Sequence, residues 1–373
     1  MNSPTQEHLS FLALHFVPGI GNYLVKQLVS YCGSAEDVFT IPKGKLLKIP
    51  GIGPVTASAI KGGSPMHEAE KEWRKAEKEE TDIIFYTDKR FPDRLKTIED
   101  APSLLYCKGN SPLNVEKSVA IVGTRQATEY GKEIVSKIIE DLKPHSPVII
   151  SGLAYGIDIQ AHKQAIKNNL PTWAIMGSGM DIIYPVAHHE TAKKITSHGA
   201  LLTENRFGTK PDAHNFPARN RIIAGLCDAL IVVEAAEKGG ALITAEIANS
   251  YNKDVFAVPG SLGKTYSEGC NKLIRNNKAT IYTSIKDLEY LMNWSADSGT
   301  SKKKKEKIDF TACSADEQKI LSILLAKNTP MMIDELTIKS GIAPSQLASL
   351  LLNLEFSNIV KSLPGKQYAL VIN

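Results

Sequence analysis

The stretch Val119-Ala120-Ile121-Val122-Gly123-Thr124-Arg125, with Val148-Ile149-Ile150-Ser151-Gly152-Leu153-Ala154-Tyr155-Gly156-Ile157-Asp158 after it, decides how this chain of 373 residues is read. Each begins as a short apolar run and gives way to small residues, the pattern of a buried strand entering a tight loop before a helix. Two such units in succession put both loops beyond the carboxyl ends of adjacent parallel strands, where open α/β sheets bind ligands. Small residues there let a ligand approach the backbone, and the NH groups at the next helix start favour an anion. Arg125 adds a permanent positive charge, so a phosphate is the first expectation.

The alternation continues outward. Strand-like runs follow at Thr172 to Met176, Leu201 to Thr203, Ala229 to Val233, Val255 to Val258 and Thr280 to Tyr282, with amphipathic stretches such as Ile134, Ile138, Ile139 and Leu142 between strands. A βαβα order implies a parallel sheet covered on both faces. Two earlier runs, Ile83 to Tyr86 and Leu104 to Cys107, would extend it at one edge. The expected fold class is α/β, an extended Rossmann-like doubly wound parallel sheet over residues 67–292.

Residues 1–66 read as a helical domain of helix-hairpin-helix or SAM-like type. Val17-Pro18-Gly19-Ile20-Gly21 and Ile49-Pro50-Gly51-Ile52-Gly53 each precede a helix, with Lys26 and Lys61 as the nearby cations. Such hairpins present backbone NH groups to a phosphate, and they serve equally as rigid corners. Residues 293–309 form a polar, lysine-rich linker. Residues 310–373 read as a winged helix of three helices and a hairpin spanning Val360 to Leu370. Its third helix carries no Lys or Arg from Ala343 through Glu355, which suits contact with a protein better than a DNA groove.

Composition narrows the functional classes. The net charge of +4 comes from the linker: removing the five lysines and one glutamate of residues 302–307 from 44 basic and 40 acidic residues leaves 39 of each. A polyanion site must then come from local clustering. No apolar run approaches the roughly 20 residues of a membrane span, and Met1 to His8 is too polar for a secretory signal. A cytoplasmic protein without a membrane partner is expected. Five scattered cysteines without a CxxC pair argue against a disulfide framework and a zinc site, and no metal or cofactor is expected.

The first βα turn lacks GxGxxG, which disfavours a dinucleotide. Gly260-Ser261-Leu262-Gly263-Lys264-Thr265 fails the Walker spacing because position 258 is Val258, so it reads as a surface loop. Ser151, Asp158 and His162 lack the surroundings of a nucleophile elbow; a turn hydrogen bond, a helix cap and a packed histidine are the plainer roles. From Asn205 to Arg221 stand four basic residues, Arg206, Lys210, Arg219 and Arg221, against one Asp212, with Phe216 offering a face for an unpaired base. The candidate nucleic-acid surface comprises Gly123, Arg125, Ser151, Gly152, Lys210, Phe216, Arg219, Asn220 and Arg221. Its arginines could instead tie loops to carbonyl groups. Gly239, Gly240 and Thr244 form a possible anion nest, or simply a tight turn.

Taken together, these blocks resemble the DNA-processing protein A family, DprA or Smf. The matching segments are Phe91-Pro92-Asp93-Arg94-Leu95, Ala120 to Arg125, Ser151 to Asp158 with Ala161-His162, Tyr184-Pro185, Phe216 to Leu226, Gly240 to Ala245 and Val258-Pro259-Gly260. The resemblance implies a bacterial protein that binds and protects incoming single-stranded DNA in natural transformation and loads the RecA recombinase. It implies a homodimer through the central domain and no catalysis, with Arg125, Arg219, Asn220 and Arg221 matching the family's basic pocket. Two departures stand out: Lys238-Gly239-Gly240-Ala241 replaces a common Ser-Gly-Ser type turn, and His188 replaces the usual Asn. The alternative is a nucleotide-hydrolysing enzyme related to nucleoside-monophosphate phosphoribohydrolases, suggested by Gly239-Gly240 with Thr244 and Glu246; it would need a second carboxylate.

Overall fold

The computed structural model describes residues 3–62, 65–295, 314–327, 331–357, 359–363 and 367–370. The lysine run 302–307, most of the linker and the hairpin tip 364–366 lie outside the described residues. The chain forms two compact units, residues 1–298 and 299–373.

The first unit opens with six helices, α1 (Gln6–Leu14), α2 (Asn22–Cys32), α3 (Ala35–Thr40), α4 (Lys43–Leu46), α5 (Pro54–Lys61) and α6 (Met66–Lys78). The two Pro-Gly-Ile-Gly turns are conformational copies. Gly19 and Gly51 take φ of +80° and +79°, open to glycine at little cost, while Gly21 and Gly53 cap α2 and α5 in extended conformation. Ile20 and Ile52 are buried and pin each turn to the helical core.

Next come β1 (Asp82–Phe85), α7 (Asp93–Lys96), β2 (Leu104–Gly109), β3 (Ser118–Val122), α8 (Glu129–Leu142), β4 (Val148–Ser151), α9 (Ile157–Lys167), β5 (Thr172–Ile175), α10 (His189–His198) and β6 (Gly199–Thr203). The unit closes with α11 (Asn215–Leu226), β7 (Ala229–Val232), α12 (Gly240–Ser250), β8 (Asp254–Ala257), α13 (Glu268–Arg275), β9 (Thr280–Ile281) and α14 (Ile285–Met292). The nine strands form one sheet in the order β1-β2-β6-β5-β4-β3-β7-β8-β9. Strands β3 to β9 are parallel, with Val119 opposite both Ile149 and Ala229, and β1 and β2 add antiparallel at one edge. All nine strand expectations are met; the inner strands, buried on both faces, read as continuous apolar runs, while the short β9 at the sheet edge is exposed.

Alternation along β3 divides the core. Val119 and Ile121 pack beneath α8, α9 and α14, while Ala120 and Val122 face α11, α12 and α13. A third cluster joins Phe11, Leu14 and Trp73 of the N-terminal helices to Phe85, Tyr106 and Leu201 of the sheet. The chain leaves β3 toward β4, β5 and β6 on one side and resumes at β7 on the other. Loops 123–128 and 233–239 therefore lie on either side of the β3/β7 topological switch point of the sheet.

The second unit contains α15 (Ala315–Lys327), β10 (Met331–Met332), α16 (Ile333–Ser340), α17 (Pro344–Phe356), β11 (Val360–Leu363) and β12 (Gln367–Leu370). It is a winged helix with one addition to the sequence reading: β10 pairs with β12 to make the wing three-stranded. Two residues are too short a run to announce a strand.

Candidate nucleic-acid interface

The loop after β3 begins at Gly123, where a Cβ would lie 2.5 Å from Ile157 and 2.9 Å from the Glu234 carbonyl. Only glycine lets this turn close against α9 and the loop after β7. The Thr124 amide donates to that Glu234 carbonyl at 2.7 Å and stitches the two switch-point loops together. The Glu234 carboxylate is buried and accepts from the Thr128 amide and hydroxyl at 3.0 and 2.6 Å. The start of α8 thus carries the protein's own anion. Arg125, by contrast, is exposed, and its guanidinium lies 5.6 Å from the centre of the Phe216 ring.

Phe216 comes from the first turn of α11, and Arg219, one turn on, lies 5.5 Å from the same ring. Loop and helix therefore converge on one aromatic side chain. Their arginines differ in every other respect. Arg219 is 7% exposed; its Nη1 donates to the carbonyls of Gly152 and Ile175, the latter at 3.0 Å, and its Nη2 stands 3.9 Å from Asp158. Burial pushes the Asp158 carboxyl up, against the pull of Arg219, and the Gly152 amide donates to it at 3.2 Å. The Gly152 turn is thus filled from within by an ion pair, and a Cβ at Gly152 would collide with the guanidinium at 2.4 Å.

Ser151 is fully buried and donates to the Ile121 carbonyl at 2.7 Å, tying β4 to β3. His162 is buried with Nδ1 2.7 Å from the Thr172 hydroxyl; burial first, then the charge of Arg219, lowers its pKa to about 3. Ser151, Asp158 and His162 thus have structural partners of their own. His188 is also buried, with Nδ1 2.7 Å from the Leu153 carbonyl.

Arg221 faces away from this pocket. Its guanidinium pairs with Glu204 and donates to the Asp100 carbonyl at 2.7 Å. Asn220 is buried and reaches the Gly240 carbonyl at 3.5 Å, and the Thr244 hydroxyl donates to that carbonyl at 3.0 Å. Gly239 and Gly240 are exposed at the uncapped start of α12 with open space where side chains would stand. Lys210 is exposed beyond β6, without an ion pair among the described residues. Glu246 pairs with Lys278 at 2.7 Å.

The structure brings Arg125, Phe216, Arg219, Gly152, Ser151 and Gly123 together at the carboxyl edge of β3 and β4. It sets Arg221 apart and leaves Lys210, Gly239 and Gly240 as separate exposed points. Two rim residues escaped sequence reasoning: Tyr184, 5.7 Å from the Phe216 ring, and Tyr155, packed edge-on against His188 at 4.8 Å, both about half exposed. Tyr184 lies within a family-like block, but nothing local announces its contact with Phe216.

The two hairpins also diverge. At the first, Asn22 donates to Glu204 at 2.8 Å and accepts from the Ser103 amide, and Lys26 reaches the Ala101 carbonyl at 2.6 Å. At the second, Lys61 donates to the Phe39 carbonyl at 2.5 Å, and the start of α5 is open to solvent. Both lysines expected to assist a phosphate are bonded to protein carbonyls.

A family model described as DNA recombination-mediator protein A matches residues 82–293, and one described as the DprA winged helix domain matches residues 310–366. Protein Smf of Synechocystis is 31% identical over 97% of this chain and 98% of its own length. The DNA processing protein DprA of Bacillus subtilis is 37% identical over 64% of this chain and 83% of its own. The X-ray structure of DprA from Streptococcus pneumoniae aligns with a TM-score of 0.67 and 35% identity, covering 77% of this chain and 98% of that one. DprA from Helicobacter pylori, described for its single-stranded DNA binding mode, aligns with a TM-score of 0.52 and 29% identity, covering 57% of this chain and 95% of that one. Fold and comparisons define a DNA-processing protein built on an extended Rossmann-like sheet with a winged helix. The chain belongs to the DNA recombination-mediator protein A family, DprA or Smf.

Proposed function

We propose that this protein binds single-stranded DNA across the carboxyl edge of its parallel strands and passes the strand to the RecA recombinase in natural transformation, without catalysing a reaction. The observation that carries the reading is the charge balance around Phe216. Two guanidiniums lie over one ring; Arg219 has Asp158 within the protein, whereas Arg125 has no carboxylate partner among the described residues. An exposed cation beside an aromatic face suits a backbone phosphate with a stacked, unpaired base.

The candidate residues then divide by role. Arg125 and Phe216 touch the strand, Lys210 flanks it, and Gly239 and Gly240 offer further backbone NH groups on the far side of the switch point. Gly123, Ser151, Gly152, Arg219 and Asn220 shape the floor. Arg221 supports the loop after β6 through Glu204. The pairing of Glu246 with Lys278 supports the non-catalytic reading over nucleotide hydrolysis. A homodimer through the central domain would use the open β9 edge of the sheet, where Ile281 of β9 and Tyr290 and Leu291 of α14 are each exposed.

Binding of a labelled oligothymidine and of a matched duplex, measured across salt concentrations, tests the reading. The protein should prefer the single strand, and Arg125→Ala should weaken binding about tenfold while flattening the salt slope by about 0.7. Equal binding of duplex and single strand, or an unchanged slope in the variant, would overturn the assignment. Loading is read separately, as faster RecA filament formation on single strands held by a strand-binding competitor.

A further inference from the structure

We propose a second single-strand subsite, formed by Arg206 of the loop after β6 and Phe16 of the N-terminal helices, so that the helical region is part of the strand-binding surface. The proposal rests on the reading of the Arg125 pocket as a single-strand site and extends its path. Of the chain's eight arginines, only Arg125 and Arg206 combine an exposed guanidinium, an aromatic ring beneath it and no carboxylate partner among the described residues. Arg206 lies 4.5 Å from the centre of the Phe16 ring, nearer than Arg125 lies to Phe216. An exposed guanidinium over an aromatic ring can stack a nucleobase and offer its NH groups to a phosphate.

Three nearby carboxylates make their hydrogen bonds and ion pairs with other groups. Glu204 accepts from Arg221 and Asn22; Asp181 pairs with Lys75 at 2.6 Å; Glu72 accepts from the Tyr106 hydroxyl and the Phe207 amide, both at 2.8 Å. Arg206 therefore makes no ion pair among the described residues, and it acts on the buried Glu72 only at longer range, where its charge pulls that carboxyl down against the rise from burial. The Asn22 bond to Glu204 does more than satisfy a carboxylate. It docks the first Pro-Gly-Ile-Gly hairpin on the loop that carries Arg206, and so holds Phe16, just ahead of that hairpin, under the guanidinium.

Geometry joins this subsite to the first. Arg125 and Arg206 follow β3 and β6, which run parallel within one sheet, so both emerge at its carboxyl edge. The three strand spacings between them amount to about 14 Å. The loop after β5 spans that gap: a Cβ on Gly177 would lie 3.1 Å from the Phe216 ring, and one on Gly179 2.4 Å from the Arg206 carbonyl. Two residues cover at most about 7 Å. A strand crossing this loop would meet Arg125 and Phe216, with exposed Tyr184 beside the Phe216 ring, and then Arg206.

The test is the dependence of full-chain affinity on oligothymidine length. Arg206→Ala, and Phe16→Leu as a variant that keeps the helical core filled, should each lower affinity for long oligothymidine about tenfold while leaving the shortest measurable ligand unaffected. Arg206→Ala should also flatten the salt slope for the long ligand by about 0.7, and Phe16→Leu should not. If Arg206→Ala binds every length like the unaltered protein while Arg125→Ala is weakened, the second subsite is wrong and the first stands. If Arg125→Ala is unaffected as well, both fall.

Discussion

The loop after β3 and the opening turns of α11 carry the same kind of residue to the same ring, yet they use it in opposite ways. Arg125 projects from a loop that Thr124 and Thr128 fasten to Glu234, and its own side chain stays in solvent. Arg219 stands one turn into a helix packed on the sheet, where its guanidinium neutralises Asp158 and ties the Gly152 turn to the end of β5. The difference teaches that a basic cluster in a sequence counts charges without saying which are available. A buried arginine with a carboxylate partner shapes a site, and an exposed one without a partner waits for an anion.

Removing Arg219 should break this contrast most severely. Arg219→Ala strands a buried carboxylate and two carbonyls, and urea unfolding should show a loss of about 3–5 kcal/mol. A loss under about 1 kcal/mol would mean that the pair contributes little and that Arg219 is free to turn outward.

Acid should expose the same buried layer. His162 has a folded pKa of about 3 against 6.5 for an unperturbed histidine. Its contribution is fully present above pH 6.5 and is lost as pH falls, because the unfolded chain binds a proton that the folded one refuses. Between pH 6 and pH 4 this amounts to about 2–3 kcal/mol. Unfolding measured at both pH values should show that share missing in His162→Gln, and an unchanged difference would place the acid sensitivity elsewhere. The second unit supplies no such effect, since residues 299–373 contain no histidine.

The smallest effect on stability should come from the exposed wall. Arg125→Ala should unfold within about 0.5 kcal/mol of the unaltered protein, although its DNA affinity drops about tenfold. A large stability loss there would mean that Arg125 too is structural, and the contrast between the walls would disappear.

Much of the fold was legible because its signals are local. The central strands need no partner to be read: Val119 to Val122, Val148 to Ile150 and Ala229 to Val233 are short apolar runs bounded by turns, and the two Pro-Gly-Ile-Gly turns have the glycines that a positive φ requires. The site was legible only in part. Gly123-Thr124-Arg125 is read correctly as a strand-end turn because its residues are consecutive. The fate of Arg219 depends on Gly152, 67 positions away, and that of Arg206 on Phe16 at the far end of the unit. The two hairpins make the same point with a shared sequence: one helix start is docked on Glu204 and Ser103, the other opens to solvent.

By itself, then, the sequence determined a doubly wound sheet with a helical start and a winged-helix end, and placed glycines and arginines at the carboxyl edge of the strands. Hydrophobic period and turn chemistry act over a few residues, so they survive without tertiary context. Only the tertiary structure decided which arginines are neutralised, which aromatic rings lie beneath the others, and that the N-terminal helices reach the same edge. Those outcomes rest on desolvation and on ion pairs between distant segments, and both depend on what the folded chain brings close.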